Sequence, residues 1–179
     1  MTRTERQTVF VVDDDAAVRD SIAELADSVG LDAECYASAR EFLDAFRAER
    51  PGCLVLDVRM AAMSGLALQE RLNEMTITIP VIVITGHGDV PMAVQAMRNG
   101  AIDFIQKPYR DQALLDSINM ALAQNRKARH PDAEQGKFDR LLATLTEREH
   151  EVLEHLKKGK TSKQIASALE ISPRTAEVH

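Results

Sequence analysis

Val9-Phe10-Val11-Val12 is a short apolar run that ends abruptly in three carboxylates, Asp13-Asp14-Asp15. The run Cys53-Leu54-Val55-Leu56 ends in the same way, in Asp57. Short apolar runs bounded by polar residues are typical of the buried strands of a parallel sheet. Because ligands bind at the carboxyl ends of such strands in open α/β sheets, the residues that end these runs predict a functional site.

Two further apolar runs also end in polar residues. Val81-Ile82-Val83-Ile84 ends in Thr85, and Phe104-Ile105 ends in Gln106-Lys107-Pro108. Segments with apolar residues at helical spacing separate the runs, so strand and helix signals alternate up to about residue 124. Five strands alternating with five helices predict a parallel sheet with right-handed crossovers. We therefore expect a doubly wound, flavodoxin-like α/β domain over residues 6–124, with five parallel strands in the order 2-1-3-4-5.

Glycines and capping residues predict the helix boundaries of this domain. Apolar residues at intervals of three to four predict a first helix that ends at Gly30. Ser38 and Glu41 predict a capping box at the start of the second helix. The remaining helices are expected over residues 65–75, 89–99 and 110–124.

The alternation of strands and helices lapses after residue 124. Residues 125–139 are polar and contain turn residues, so they predict a linker. Residues 140–179 carry helical signals only, with one capping box at Thr146 and Glu149 and another at Thr161 and Gln164. The interval from the second of these helices to the next helix start, at Ser172-Pro173, is typical of a helix-turn-helix. We expect a second, small all-α helix-turn-helix domain over residues 140–179.

Charge is unevenly distributed along the chain. The net charge is -6, and residues 1–124 hold 11 Lys and Arg against 19 Asp and Glu. This acidic excess suits a cation or a cationic partner, whereas only the remainder could approach nucleic acid without strong repulsion. The sequence has neither an apolar run of the ~20 residues that a membrane helix needs nor a signal peptide, and Cys35 and Cys53 form no paired motif. We expect a cytoplasmic protein that has no contact with a membrane.

Three carboxylates are expected to meet at the edge of the predicted sheet. Strands 1 and 3 are neighbours in the order 2-1-3-4-5, which places Asp13 and Asp14 beside Asp57. Such a cluster is stable only if a cation neutralises it or some groups are protonated, and a set of oxygen ligands favours Mg²⁺ together with a phosphate. A carboxylate can attack phosphorus to form an acyl phosphate, while Thr85 and Lys107 can hold phosphoryl oxygens. The alternative, that these are ordinary solvated loop acids, is disfavoured by four such strand ends in one chain.

The residues at the strand ends resemble the receiver domain of two-component response regulators. The matching motifs are Val11-Val12-Asp13-Asp14-Asp15, Leu56-Asp57-Val58-Arg59-Met60, Ile84-Thr85-Gly86 and Ile105-Gln106-Lys107-Pro108. The resemblance implies that Asp57 accepts a phosphoryl group from a sensor histidine kinase. It also implies that Asp13, Asp14, Asp57 and the backbone carbonyl of Arg59 bind Mg²⁺, and that Lys107-Pro108 is a cis bond.

The same resemblance implies a conformational switch. Thr85 and Lys107 would hold the phosphoryl oxygens, and Phe104 would turn inward as the threonine moves. The loop Gly86-His87-Gly88-Asp89 is similar to that of FixJ-like regulators, which implies dimerisation on phosphorylation through the fourth helix and fifth strand. The chain departs from the family at Ala61-Ala62, where a Pro-Gly pair is common, and the loop there is expected to be looser.

The C-terminal helices resemble the LuxR-type DNA-binding domain, in which the second helix of the motif enters the major groove. The resemblance implies promoter DNA as a partner and gives the candidate contacts Lys160, Lys163, Arg174, Thr175, Glu177 and Val178. Of these, the cationic side chains would contact phosphates, and Glu177 and Val178 would face base edges. The chain ends at His179, before the usual fourth helix, so we expect a C-terminally truncated form with weak or no specific operator binding.

Two other functions are compatible with parts of the sequence. An aspartate-nucleophile phosphatase also forms an acyl phosphate on a parallel sheet, but it needs a second carboxylate two residues after the nucleophile, where this chain has Arg59. A protein-binding adaptor could use the C-terminal helices for a protein partner, although the helix-turn-helix spacing argues against it. We therefore predict a phosphorylation-switched transcription regulator that is not an enzyme beyond phosphoryl transfer to Asp57 and self-dephosphorylation.

Overall fold

The computed structural model describes residues 6–87 and 90–170, and these fall into two compact units that divide between Arg129 and His130. In the first unit, strands and helices alternate as predicted. Its elements are β1 (Thr8–Val12), α1 (Ala16–Ser28), β2 (Asp32–Tyr36), α2 (Ala39–Ala45), β3 (Gly52–Asp57), α3 (Gly65–Glu74), β4 (Val81–Thr85), α4 (Val90–Arg98), β5 (Asp103–Gln106) and α5 (Asp111–Arg129).

The five strands form one parallel sheet in the order β2-β1-β3-β4-β5, which confirms the predicted topology. Val12 of β1 is level with Leu56 of β3, and Thr85 of β4 is level with Gln106 of β5. The chain therefore leaves β1, β3, β4 and β5 at the same edge of the sheet. This edge is where the predicted site residues lie.

Both faces of the sheet are buried, because successive residues of a strand point to opposite faces and helices cover each one. Phe10 and Leu54 belong to a core cluster on one face with Phe42 of α2 and Leu68 of α3. Their strand neighbours belong to a second cluster on the other face, with Ile22 of α1 and Ile118 of α5. The continuous apolar runs of β1, β3 and β4 are thus explained by burial on two sides.

Capping residues lie at the starts of α1 and α2, but the predicted capping box of α2 is not closed. Asp15 caps α1 by accepting a hydrogen bond from the Ala17 amide. The Ser38 hydroxyl accepts from the Glu41 amide at 3.2 Å, but the Glu41 carboxylate accepts from the Ala37 amide instead of closing the box on Ser38. Gly30 has a φ of +76° after α1, a conformation that glycine adopts without steric cost.

The region predicted to be a linker is largely helical. The helix expected to end at residue 124 continues to Arg129, and α6 (Pro131–Ala143) follows. Asn125 belongs to the first unit, since its side chain is buried and its Oδ1 accepts a hydrogen bond from the Gly52 amide at 3.0 Å. Polar composition predicted a linker here because the apolar periodicity of α5 fades from Asn125 onward, where a polar side chain takes the buried position and packs through a hydrogen bond.

The second unit contains α6, α7 (Glu147–Lys157) and α8 (Ser162–Ala168). Both predicted capping boxes are present, at Thr146 with Glu149 and at Thr161 with Gln164. Val152 of α7 and Ile165 of α8 are buried against each other in a small core. The predicted helix start at Ser172-Pro173 lies outside the described residues. Among the helices that are described, none has an apolar stretch long enough to span a bilayer.

An ion pair joins Glu34 of β2 to Arg50 before β3, and we expect it to make stability sensitive to acid. Arg50 donates to both carboxylate oxygens of Glu34 and lies over the Phe10 ring. The hydrogen bond from Arg50 lowers the pKa of Glu34, outweighing burial, which acts in the opposite direction. A lowered pKa in the folded state means that the pair stabilises the fold above the ordinary pKa of glutamate, about 4.3, and that this contribution is lost as the pH falls through the lowered value.

We therefore expect Glu34→Gln to lower the free energy of unfolding by at most about 1 kcal/mol at pH 7, because the pair is partly exposed. The difference from the wild type should shrink to nothing in strong acid. Urea unfolding at a series of pH values measures both. Glu24→Gln, at an exposed position on α1, is the matched control, and an equal pH dependence for the two variants would contradict the assignment.

Candidate functional site

The strand ends bring four of the predicted residues together. Asp13 follows β1, Asp57 ends β3 and Thr85 ends β4, and all three are buried, with relative exposures of 1%, 4% and 0%. Lys107 follows β5 and is partly buried. Carboxylates so deeply buried need a charged or hydrogen-bonding partner, and Lys107 supplies it.

Lys107 bridges the two buried carboxylates. Its Nζ donates to Asp13 Oδ2 at 2.8 Å and to Asp57 Oδ1 at 3.1 Å. Burial alone would lower the pKa of Lys107, but the hydrogen bonds to Asp13 and Asp57 raise it above its ordinary value. The ammonium group is therefore charged at neutral pH and fixed between the carboxylates.

The surroundings of Asp57 oppose the negative charge of its carboxylate. Burial raises its pKa, and the negative charge of Asp13 acts in the same direction, whereas the hydrogen bond from Lys107 lowers it. The net shift is upward. A carboxylate whose negative charge is poorly stabilised is more basic than an ordinary one, and it is a stronger nucleophile.

Asp13 is held by backbone and side-chain contacts on three sides. Its Oδ1 accepts from the Asp15 amide at 2.9 Å, its amide donates to the Tyr36 carbonyl, and its carbonyl accepts from Arg19 Nη1 at 2.7 Å. The role of Arg19 was not predicted from the sequence. Every residue has a backbone carbonyl, so residue types alone do not indicate which carbonyl an arginine binds. The sequence shows only that Arg19 lies one turn into α1, close to the end of β1.

Oxygen atoms of Asp13, Asp14 and Asp57 lie within 4.8 Å of one another, close enough to bind one metal ion. Asp13 and Asp57 are buried, whereas Asp14 is exposed and could approach the ion from the solvent side. Carboxylate oxygens are ligands for hard cations such as Mg²⁺ and Ca²⁺. The residues present therefore fit a divalent cation of this class.

Hydrogen bonds from backbone amides position Thr85 and Lys107 at this edge of the sheet. The Thr85 carbonyl accepts from the Lys107 amide at 2.8 Å, and the Thr85 hydroxyl accepts from the His87 amide at 3.3 Å. Phe104 is half-buried on β5 and packs against the core cluster that contains Val83. The bond between Lys107 and Pro108 is cis, as expected.

The loop after β3 joins Asp57 directly to α3. Val58 donates to the Ile84 carbonyl and accepts from the Gly65 amide at 2.9 Å. A Cβ on Gly65 would lie 2.1 Å from the Asp57 carbonyl oxygen, so only glycine fits there. The sequence predicts a helix start at Gly65 but not this close approach of its backbone to Asp57. In the same loop, Ala62 has a φ of +66°, a left-handed conformation that favours the glycine common in the family.

Arg59, the predicted carbonyl ligand, is exposed two residues after Asp57. Among the candidate DNA contacts, Lys163 is exposed on α8, and Lys160 precedes that helix with its Nζ 3.1 Å from His155 Nδ1. The other candidate DNA contacts lie outside the described residues: Arg174, Thr175, Glu177 and Val178.

Two family models match the chain. Residues 9–119 match the response regulator receiver domain, and residues 143–179 match the bacterial regulatory proteins of the luxR family. The first match includes every residue of the carboxylate and lysine site. The second covers α7 and α8 with the candidate DNA contacts.

Similar proteins share both parts. The transcriptional regulatory protein TdiR of Thauera aromatica is 49% identical over 96% of this chain and 76% of its own length. The transcriptional regulatory protein FixJ of Bradyrhizobium diazoefficiens is 41% identical over 98% of this chain and 86% of its own length. Among solved structures, the response regulator StyR has a TM-score of 0.68 and 45% identity, with 97% of this chain and 88% of StyR covered. Full-length FixJ from B. japonicum has a TM-score of 0.65 and 41% identity, with 98% of this chain and 86% of that chain covered.

Proposed function

The chain belongs to the two-component response regulators that join a receiver domain to a LuxR-type DNA-binding domain, and from this premise we propose that Asp57 is the phospho-acceptor. One observation carries the proposal: Asp57 is buried at the end of β3, 3.1 Å from Lys107 Nζ and within 4.8 Å of the Asp13 and Asp14 carboxylates. The phosphoryl donor would be a sensor histidine kinase. The second partner would be promoter DNA. Because bacterial DNA lies in the cytoplasm, we propose that the protein acts there.

The transfer begins with attack by Asp57 Oδ2 on phosphorus, while Oδ1 accepts its hydrogen bond from Lys107. A P–O bond forms, the P–N bond of the kinase phosphohistidine breaks, and the imidazole leaves with the electron pair. The product is an acyl phosphate on Asp57. Water would later attack the same phosphorus, so that a P–O bond to water forms, the P–O bond to Asp57 breaks, and inorganic phosphate leaves with the Asp57 carboxylate regenerated. This step would be the self-dephosphorylation of the chain.

Mg²⁺ is the cation that we propose for the cluster of Asp13, Asp14 and Asp57, with the Arg59 carbonyl as a further ligand. When bound, it would neutralise charge that develops on the phosphoryl oxygens. Lys107 would follow the phosphoryl group as a point positive charge, and the Thr85 hydroxyl would donate to one of its oxygens. Both groups already lie at this edge of the sheet, so the transfer needs only local movements.

Phosphorylation of Asp57 and of no other residue is the expected result when the protein is incubated with acetyl phosphate and Mg²⁺. Intact-mass measurement should show one added phosphoryl group on the wild type and none on Asp57→Asn. Asp15→Asn is the matched control, because Asp15 is a helix cap and asparagine caps helices equally well. Chelation of Mg²⁺ should abolish the gain in mass. Equal phosphorylation of wild type and Asp57→Asn would overturn the assignment.

The output is proposed to pass through α4 and β5. The phosphoryl group adds about -1.5 to -2 charge at the end of β3, which Thr85 and Lys107 approach, and Phe104 turns inward as the threonine moves. The outer face of α4 exposes apolar side chains, with Val90 at 75%, Val94 at 41% and Met97 at 48%. A second copy of the chain could cover this face and thereby pair two DNA-binding domains, which contact DNA through residues such as Lys160 and Lys163.

We expect beryllium fluoride, a stable mimic of the phosphoryl group, to double the mass of the protein in solution. Met97→Lys should keep the protein monomeric under the same conditions, because it places a charge in the apolar face of α4. Met120→Lys is the matched control, since Met120 is an exposed methionine of α5. Light scattering after size-exclusion chromatography measures the mass. A monomeric wild type, or loss of the dimer in both variants, would contradict dimerisation through α4.

A further inference from the structure

Arg19 makes a contact that the phosphoryl-transfer chemistry does not use. It lies one turn into α1, and its Nη1 reaches back to the end of β1, where it donates to the Asp13 carbonyl at 2.7 Å. This distance is typical of a hydrogen bond from a charged donor. In the part of the chain that the structure describes, the guanidinium makes no other hydrogen bond and no ion pair. Its charge is therefore directed at one backbone oxygen.

The bond from Arg19 fixes the peptide that joins Asp13 to Asp14. The carbonyl of Asp13 and the amide of Asp14 belong to the same planar group. Holding the carbonyl therefore also sets the direction in which the chain leaves β1, and with it the position of the Asp14 Cα atom. On the far side of Asp14, the Asp15 amide donates to Asp13 Oδ1 at 2.9 Å. That second bond lies within the segment, whereas the bond from Arg19 ties the segment to the body of α1.

Asp14 depends on this backbone because its side chain has no support of its own. The carboxylate is exposed, and it makes no hydrogen bond and no ion pair to any residue that the structure describes. An oxygen of Asp14 nevertheless lies within 4.8 Å of oxygens of Asp13 and Asp57. Lys107 binds those two carboxylates, so Asp14 faces their charge without a counter-charge of its own. Repulsion acts to move Asp14 outward, and the backbone opposes that movement.

We propose that Arg19 is a positioning residue for the divalent cation. Its bond to the Asp13 carbonyl keeps the Asp14 carboxylate beside those of Asp13 and Asp57, so that the ion meets ligands that are already in place. Arg19 acts through the residues that follow β1 and not by contact with the ion. Removal of a group that holds metal ligands typically weakens metal binding by about tenfold to a hundredfold. The inference rests on the proposed function, since it takes the cluster to bind Mg²⁺.

The sign of the effect separates positioning from charge. A guanidinium close to a cation site repels the cation, so by Coulomb's law alone the loss of Arg19 should tighten Mg²⁺ binding. Loss of a positioning contact should instead weaken binding, because the ion must then also order Asp14. A contribution to stability alone would leave the Mg²⁺ affinity of the folded protein unchanged. Only the positioning role predicts weaker binding.

Calorimetric titration of the full chain with Mg²⁺ measures this affinity. Arg19→Met keeps the apolar stem and removes every donor, and it should raise the Kd for Mg²⁺ about tenfold. Arg40→Met is the matched control, because Arg40 is an exposed arginine of α2 whose ion pair with Asp44 is also exposed. Its Kd should stay within about twofold of the wild type. With acetyl phosphate, the Mg²⁺ concentration for half-maximal phosphorylation of Arg19→Met should rise in step with Kd, and saturating Mg²⁺ should restore most of the rate.

A second variant covers the case in which Arg19→Met does not fold. Arg19→Lys keeps the positive charge but replaces the planar fork with a shorter, single ammonium, and it should weaken Mg²⁺ binding about threefold. Mg²⁺ binding by the folded variant that equals or exceeds that of the wild type would overturn the inference and leave the proposed function intact. A wild type that binds no Mg²⁺ would overturn both.

Discussion

Replacing Lys107 with methionine is expected to lower the free energy of unfolding by about 3 kcal/mol at neutral pH when no divalent cation is present. The substitution keeps most of the apolar stem but removes the ammonium that binds both Asp13 and Asp57. Two deeply buried carboxylates would then face each other without a counter-charge. Removal of one partner from a buried ion pair is costly because it leaves the other charge desolvated and unpaired.

Urea unfolding with and without Mg²⁺ measures this effect. A cation that binds the folded state alone stabilises it by mass action, so millimolar Mg²⁺ should restore much of the loss. Lys107→Met combined with Asp57→Asn is the control, because the double variant has one fewer buried charge and should be more stable than Lys107→Met alone. Unchanged stability of Lys107→Met without cation would show that the carboxylates do not depend on the ammonium.

Replacing Gly65 with alanine is expected to destabilise the protein by about 3 kcal/mol and to slow phosphorylation of Asp57. The added Cβ would lie 2.1 Å from the Asp57 carbonyl oxygen and 3.1 Å from the Leu56 side chain. Because the first contact is with backbone, α3 or the end of β3 must move, and overpacking of this kind is expensive. Movement of the end of β3 would displace the Asp57 carboxylate, which that strand carries.

Gly86→Ala is the matched control for Gly65→Ala. Gly86 also follows a strand at this edge of the sheet, but a Cβ there would meet no atom within 4 Å. Its stability should change by at most about 0.5 kcal/mol. Thermal or urea unfolding and the rate of mass gain with acetyl phosphate give the two readouts. Equal behaviour of the two alanine variants would mean that the close approach at Gly65 imposes no constraint.

The sequence predicted most of the sheet because the central strands are buried on both faces. Continuous apolar runs located β1, β3 and β4, and the polar residues that end them located the site. The position of β2 was not predicted. Asp32–Tyr36 lies at the edge of the sheet and is only half-buried. It therefore has no continuous apolar run, and only the alternation of elements indicated that a strand should exist there.

The side chains that form the site were more predictable than the contacts that hold them. Asp13, Asp57, Thr85 and Lys107 stand out as polar residues at the ends of apolar runs. Arg19 donates to the Asp13 carbonyl, and Gly65 lies against the Asp57 carbonyl. Such contacts depend on how close two segments come in the folded protein, which residue types alone do not give. The extent of α5 was likewise missed, since its C-terminal part is held by polar contacts: Asn125 Oδ1 accepts from the Gly52 amide, and Arg129 donates to the Ala48 carbonyl.

The position of Lys107 between two carboxylates also has a consequence for electroneutrality. Asp13, Asp14 and Asp57 carry three negative charges and Lys107 one positive charge, so the group has a formal charge of -2. A doubly charged cation brings the group to zero, whereas a singly charged one leaves it negative. Charge balance therefore favours a divalent cation over the more abundant monovalent ions of a cell, independently of the geometry of the ligands.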